Sequence, residues 1–213
     1  MERKNIENRT ALECFCKTII CLVCLFLVQG CNEKKLTAIP KDGVILAFGD
    51  SLTAGVGVNK KKSYPTILAQ LSGRKVVNAG ISGEITAEGR TRILETIEQE
   101  KPNLILLLEG GNDILRNRNL QQTKRNLAAM IEIAQDEGVD IVLIGVPEKK
   151  LFSGVASFYE ELAEEYNLVF EADLIGDLLR KPQYKSDMIH FNEPGYRLMA
   201  ESLFQLLQKN GAL

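Results

Sequence analysis

The chain is 213 residues long, 45% hydrophobic and 25% charged, with a formal net charge of −2. That length and apolar fraction suit one medium-sized domain with a substantial core. The slight acidity offers no basic footprint for nucleic acid, and the absence of tryptophan with only 6% aromatic residues argues against a stacking platform for bases.

The five cysteines are Cys14, Cys16, Cys21, Cys24 and Cys31, and none follows. A disulfide framework would spread cysteines through the folded part. A metal site would bring more histidines, and this chain has one. The cysteines therefore belong to a leader. It starts with Arg3, Lys4, Arg9 and Lys17 and continues in an apolar run over residues 18–28. The run is shorter than the ~20 residues of a membrane span and has the length of a signal-peptide core. It ends in Leu27-Val28-Gln29-Gly30-Cys31, which resembles the lipobox of bacterial lipoprotein signals. The resemblance implies a signal peptide over residues 1–30 and lipidation of Cys31, giving a membrane contact through a lipid anchor. A plain signal peptide or an uncleaved anchor stays open. All three readings export the domain, to the periplasmic or extracellular face of a bacterial envelope under the lipoprotein reading. Residues 31–43 are polar with one proline and read as a tether, so the folded domain is expected over residues 44–213.

That domain opens with an apolar run, Val44 to Phe48, that stops at Gly49-Asp50-Ser51. Tyr64, Ile67, Leu68 and Leu71 follow at helical spacing, with Ser63 as N-cap, Pro65 in the first turn and Gly73 as stop. Val76-Val77 is a short strand ending in Asn78-Ala79-Gly80, and a polar loop leads to a helix carrying Ile93, Leu94 and Ile97. Pro102 breaks that helix. Leu104 to Leu108 is an unbroken apolar run, the mark of a strand covered on both faces. Leu127, Met130, Ile131 and Ala134 form the next helix face, closed by Gly138. Ile141 to Ile144 is a strand. Val155, Phe158, Leu162 and Tyr166 mark a helix, and Leu168 to Phe170 a short fifth strand. Asn192 and Pro194 open a last helix with Met199, Leu203, Leu206 and Leu207 on one face. Strands alternating with helices predict an α/β fold with a parallel sheet and helices on both faces. Ligands in such sheets bind beyond the carboxyl ends of the strands. The loops at Gly49-Asp50-Ser51, Asn78-Ala79-Gly80 and Gly110-Gly111-Asn112-Asp113 all fall there.

Ser51 ends a strand and starts a helical turn, which exposes its hydroxyl and directs its N–H where a helix N-terminus favours an anion. Asp50 and Ser51 also suit a simple helix cap. Serine needs a base to become a nucleophile, and His190 is the sole imidazole available. Asp187 lies three residues earlier, so a tight turn can bring its carboxylate to the ring. A structural histidine beside a capping aspartate fits the same residues. Gly80 allows close backbone approach, and Asn112 offers a side-chain N–H donor. Ordinary turn chemistry explains either one alone.

The four blocks taken together resemble the GDSL, or SGNH, hydrolases. They read Phe48-Gly49-Asp50-Ser51-Leu52-Thr53-Ala54-Gly55, then Asn78-Ala79-Gly80-Ile81-Ser82-Gly83-Glu84, then Gly110-Gly111-Asn112-Asp113, and Asp187-Met188-Ile189-His190. They run in family order from Val44 to the C-terminus. The most similar subgroup is the secreted acyl-CoA thioesterase/lysophospholipase and arylesterase type. The resemblance implies a three-layer α/β/α sandwich, flavodoxin-like, with a five-stranded parallel sheet. It implies Ser51 as nucleophile, His190 as base and Asp187 as its partner, with an oxyanion hole from the Ser51 and Gly80 N–H groups and the Asn112 side chain. It implies no metal or organic cofactor, and a small-molecule or lipid ester as substrate. Phe191 stands where the family often has proline, while the Asp-x-x-His spacing is intact. Leu115, Leu151 and Phe152 are candidates to line an apolar acyl groove. Two other readings are a deacetylase of acetylated sugars or cell-wall glycan, and a non-catalytic surface binding module on the same fold.

Overall fold

The structure, a computed structural model, describes residues 36–148 and 154–213. Its centre is a five-stranded parallel sheet in the order β2-β1-β3-β4-β5, the flavodoxin-like winding. The strands are β1 (Val44–Gly49), β2 (Lys75–Gly80), β3 (Leu104–Leu108), β4 (Asp140–Ile144) and β5 (Val169–Glu171). Every residue of β3 is buried, because helices cover both faces of the sheet there. Strand β2, on one edge, is only partly buried.

The helices are α1 (Ser51–Ala54), α2 (Tyr64–Ser72), α3 (Thr86–Glu100), α4 (Gly111–Leu115), α5 (Leu120–Asp136), α6 (Ser157–Glu165), α7 (Leu174–Leu179) and α8 (Glu193–Lys209). One layer packs α2 and α7 against α8; the other packs α3 and α6 against α5. Leu127, Met130, Ile131 and Ala134 of α5 and Met199, Leu203 and Leu207 of α8 are buried as their spacing requires. Ile93 and Ile97 of α3 are buried, but Leu94 is exposed. The buried stripe includes Gly89 instead, where a small residue lets α3 approach Phe48 and Met130. Ser63 occupies the cap position of α2 without capping. Its hydroxyl donates to Lys60 O at 2.8 Å and meets Thr66 Oγ1 at 3.2 Å. Asn192 does cap α8, accepting from Gly195 N–H at 3.0 Å. Val155 lies ahead of α6, in a bridge to Pro147.

The domain begins earlier than residue 44. Leu36 and Ile39 are buried in the core. Leu36 N–H donates to Asn210 O at 2.9 Å, Ile39 N–H to Ala212 O at 2.8 Å, and Thr37 N–H to an Asp140 carboxylate oxygen at 2.7 Å. A polar composition reads as a tether, yet two apolar side chains three positions apart suffice to dock this segment. The leader, Cys31 and the tether as far as residue 35 lie outside the described residues. Ile39→Ala should therefore lower stability by about 2–5 kcal/mol, the range for truncating a buried isoleucine. Urea unfolding of the two proteins checks this, since truncation within a mere tether would leave the midpoint unchanged.

Candidate active site

The site forms where β1, β2 and β3 end. Asp50 N–H donates to Leu108 O at 3.3 Å, and one carboxylate oxygen of Asp50 accepts Leu52 N–H at 3.0 Å, capping α1. Capping thus falls to Asp50, and Ser51 starts α1 with its hydroxyl directed elsewhere. Ser51 Oγ lies 3.0 Å from His190 Nε2, and His190 Nδ1 lies 2.8 Å from an Asp187 carboxylate oxygen. The other Asp187 oxygen accepts the Ile189 and His190 N–H groups, both at 2.8 Å. The Ile189 N–H, ahead of the imidazole, holds the Asp187 carboxyl down at about 2, so it stays ionised at any working pH.

The loop carrying Asp187 and His190 is held from below. Lys185 and Phe191 form an antiparallel bridge, and Ser186 N–H donates to His190 O at 3.0 Å. The Phe191 ring is buried edge-on against Tyr196, with centroids 5.6 Å apart, and Tyr196 Oη donates to Val56 O at 2.8 Å. Here an aromatic anchor in the core does the fixing at the position where the family often has proline.

The donor loops are less simple than their sequence implies. Asn112, in α4, donates through Nδ2 to Glu84 O at 2.9 Å and more loosely to Asp50 Oδ2 at 3.4 Å. The longer contact leaves one N–H able to turn to a ligand. Gly80 is not open: its N–H donates to Asn78 Oδ1 at 3.0 Å. A Cβ on Gly80 would fall 2.1 Å from Ala54 N, so its lack of a side chain serves the packing of β2 against α1. Gly83, three residues on, has φ +81° in the turn before Glu84. Its N–H has no acceptor among the described residues. Gly83 lies in the same sequence block as Gly80, in the Ser82-Gly83 turn.

Beside Ser51 lies a cavity of about 600 Å³, a size suited to a small ligand. Ile114, Leu115, Val146, Pro147, Ile175 and Leu179 form apolar walls, with Met188 and Ile189 from the loop of Asp187 and His190, and Glu148, Arg180 and Lys185 among the polar lining. Leu115 is where the groove was expected; Leu151 and Phe152 lie outside the described residues. The Ile175 and Leu179 wall comes from α7, a helix beyond the predicted elements, in which Leu174, Ile175, Leu178 and Leu179 have helical spacing. Among the described residues no cluster of three or more His, Cys, Asp or Glu is arranged to hold a metal ion.

Sheet, site and cavity together define a class, the carboxylic ester hydrolases built on an α/β sandwich. The chain belongs to the GDSL-like lipase/acylhydrolase family, whose sequence profile matches residues 47–198. An arylesterase of Vibrio mimicus is 28% identical over 204 residues, covering 91% of this chain and 97% of the relative. Thioesterase 1/protease 1/lysophospholipase L1 of Escherichia coli K12 is 28% identical over 172 residues, 77% of this chain and 83% of that one. A Bacillus subtilis protein described as uncharacterized lipoprotein YqeF is 28% identical over 139 residues, 59% of this chain and 55% of its own. In fold, the chain is similar to the psychrotrophic esterase EstA from Pseudoalteromonas sp., with a TM-score of 0.72, 23% identity and coverage of 79% of this chain and 98% of EstA.

Burial raises the Asp50 carboxyl from 3.8 to about 6, against the capping N–H of Leu52 and the nearby His190, which pull it down. The folded value lies above the unfolded one, so Asp50 contributes stability in full below about pH 4, and that contribution is lost as pH rises through about 6. Asp50→Asn keeps a capping side chain and has no such loss. Its stability relative to the wild type should rise between about pH 4 and about pH 8, by about 3 kcal/mol at most. Chemical denaturation of both proteins across that range checks it; a constant difference would mean the carboxylate is not desolvated.

Proposed function

We propose that this chain hydrolyses carboxylic esters or thioesters of acyl groups through Ser51, His190 and Asp187. The observation that carries this reading is the continuous hydrogen-bonded row from Ser51 Oγ through the imidazole to Asp187, at 3.0 and 2.8 Å. Ser51 Oγ attacks the acyl carbonyl while His190 Nε2 takes its proton. Asp187 keeps the remaining proton on Nδ1 and stabilises the imidazolium. The tetrahedral intermediate collapses, His190 protonates the leaving alcohol or thiol, and an acyl-enzyme on Ser51 remains. Water, deprotonated by His190, then releases the acid and regenerates the serine.

In this reading the oxyanion sits between the Ser51 N–H at the start of α1 and the Asn112 Nδ2 group. The third donor is the Gly83 N–H in place of Gly80, because the latter is already bonded to Asn78. The acyl chain occupies the apolar cavity. Its lining favours an acyl chain over an acetylated glycan, whose hydroxyls would find few partners among Ile114, Val146, Ile175 and Leu179. The arylesterase and lysophospholipase relatives support the same substrate class.

Ser51→Ala and His190→Ala should each cut turnover of p-nitrophenyl acetate by about 10⁶, and Asn112→Ala by roughly 10²–10³. Near-normal hydrolysis by Ser51→Ala would sink the mechanism. A fluorophosphonate probe should label the wild type on Ser51, and failure to label would favour a binding module. A panel of p-nitrophenyl esters of increasing chain length beside acetylated glycans separates the two substrate classes.

The envelope location is part of the proposal. It is supported by the lipobox-like residues before Cys31 and by the description of the Bacillus relative as a lipoprotein. Cys31→Ser should abolish metabolic labelling with radioactive palmitate in bacteria and move the protein out of the membrane fraction. Undiminished labelling of that variant would remove Cys31 as the attachment point.

A further inference from the structure

Behind Ser51 lies a set of buried charged side chains that the reaction does not consume. Glu109 directly follows β3 and is 0% exposed. Its Oε2 accepts Gly110 N–H at 3.3 Å, while Oε1 is buried with no hydrogen-bond partner. Glu84, 3% exposed, is gripped by Arg92: Nε donates to one carboxylate oxygen at 2.6 Å and a terminal nitrogen to the other at 2.5 Å. Arg92 also donates to Ala79 O at 2.9 Å and stacks 3.8 Å over the Phe48 ring. Its guanidinium is thereby committed to Glu84 and the end of β2.

The carboxylate that faces Glu109 is Glu84. Two carboxylates offer each other only acceptors, so this contact needs a proton on one of them. Glu109 is the one that carries it. Burial first, then the charge of Asp50 and the contact with Glu84, push its carboxyl well above the ordinary range. The charged and titratable groups facing it are Asp50 at the start of α1, Glu84 in the turn after β2, Arg92 on α3, and Tyr159 on α6, whose Oη donates to Glu109 O at 2.6 Å. Met130 of α5 lies in the same region, beside Gly89 of α3. Glu84 in turn reaches the reaction through its backbone. Its carbonyl holds Asn112 Nδ2 at 2.9 Å, and Gly83 precedes it in the same turn.

We propose that Glu109 is a positioning residue for the oxyanion-binding groups: its carboxylic acid donates to Glu84, and the pair holds the turn that orients Asn112 and Gly83. This rests on the assignment of Asn112 as an oxyanion donor. The proton is shared and never transferred to substrate, so no other step of the reaction changes. When alkali removes it, two like charges face each other beside a committed guanidinium, and the turn is pushed away from Asn112. The rate should then fall on the alkaline side while ester binding in the apolar cavity is unaffected.

The test uses Glu109→Gln and Glu109→Met, each alone and combined with Asn112→Ala. The readouts are kcat and KM for a p-nitrophenyl ester across pH, with thermal melting as the folding check. Glu109→Met, an apolar side chain of similar length, should lower kcat about tenfold with KM unchanged, a fraction of what an oxyanion donor supplies. Glu109→Gln, whose amide donates to Glu84 in place of the acid, should hold kcat within about threefold at neutral pH and lack the alkaline decline. In the Asn112→Ala background Glu109→Met should cost nothing more. The proposal is overturned if Glu109→Met keeps wild-type kcat, if its loss is undiminished in the Asn112→Ala background, or if Glu109→Gln retains the alkaline decline. Should Glu109→Met fail to fold, the pH profile of Glu109→Gln decides alone. Wild-type kcat in Asn112→Ala by itself would overturn the oxyanion assignment, a result distinguishable from all of these.

Discussion

Gly49 is the point on which the site depends, because three strand ends meet there with no room for a side chain. Its partners in register are Gly80 on β2 and Leu108 on β3. A Cβ at Gly49 would lie 2.2 Å from Leu108 O and 2.4 Å from Thr53 Oγ1. The bare backbone lets α1 fold directly over the sheet edge. Asp50 can then use its N–H on Leu108 O and its carboxylate on Leu52 N–H, and Ser51 emerges at the level of the loops after β2 and β3. Gly80 completes the arrangement from the other side, where α1 presses its backbone onto β2. Parallel register supplies the rest, since strands running the same way deliver all their exit loops to one edge.

That edge is electrostatically expensive. Asp50, Glu84, Glu109 and Asp113 are all buried. Asp113 is satisfied by the Thr86 N–H and the hydroxyls of Thr86 and Thr123. Glu84 takes both arms of Arg92, the bidentate geometry that best offsets desolvation. Asp50 and Glu109 are offset less fully, and their carboxyls are pushed up accordingly. Asp187 is the opposite case. It is half exposed and fed by two backbone N–H groups, so it remains a fixed negative charge against His190. Carboxyls of one chemical type are thus sorted into different protonation states by burial and by the number of donors each receives.

Most of the sheet was legible. The unbroken run of Leu104 to Leu108 and the helical stripes of α5 and α8 are patterns that burial alone imposes. The elements that escaped were short or polar. Helix α7 has six residues, and α4 is five residues of a glycine-rich block; such lengths carry too little periodicity to read. Residues 36–39 escaped because their polar neighbours masked the two apolar side chains that dock. In the site, Ser51, His190, Asp187 and Asn112 were legible as a set because each is a rare or chemically distinctive residue placed at a strand end or just before the last helix. That the Gly80 N–H is already bonded to Asn78 Oδ1 was not, since Gly80 and Gly83 are glycines of one block and look alike in it.

The amino-acid sequence by itself determined the class of fold, the family and the inventory of reactive groups. Hydrophobic period and strand–helix alternation are local, and a single histidine leaves no choice of imidazole. Tertiary structure decided everything that depends on distances between residues remote in the chain. It brought Ser51 and His190 together across 139 positions and Asn112 to the Glu84 carbonyl across 28. It built the apolar cavity from α4, α7 and the loop after β4, and set Glu109 against Glu84 with one guanidinium between the sheet and the turn. Those are contacts and protonation states, and no local pattern encodes them because each exists only once the sheet has closed around it.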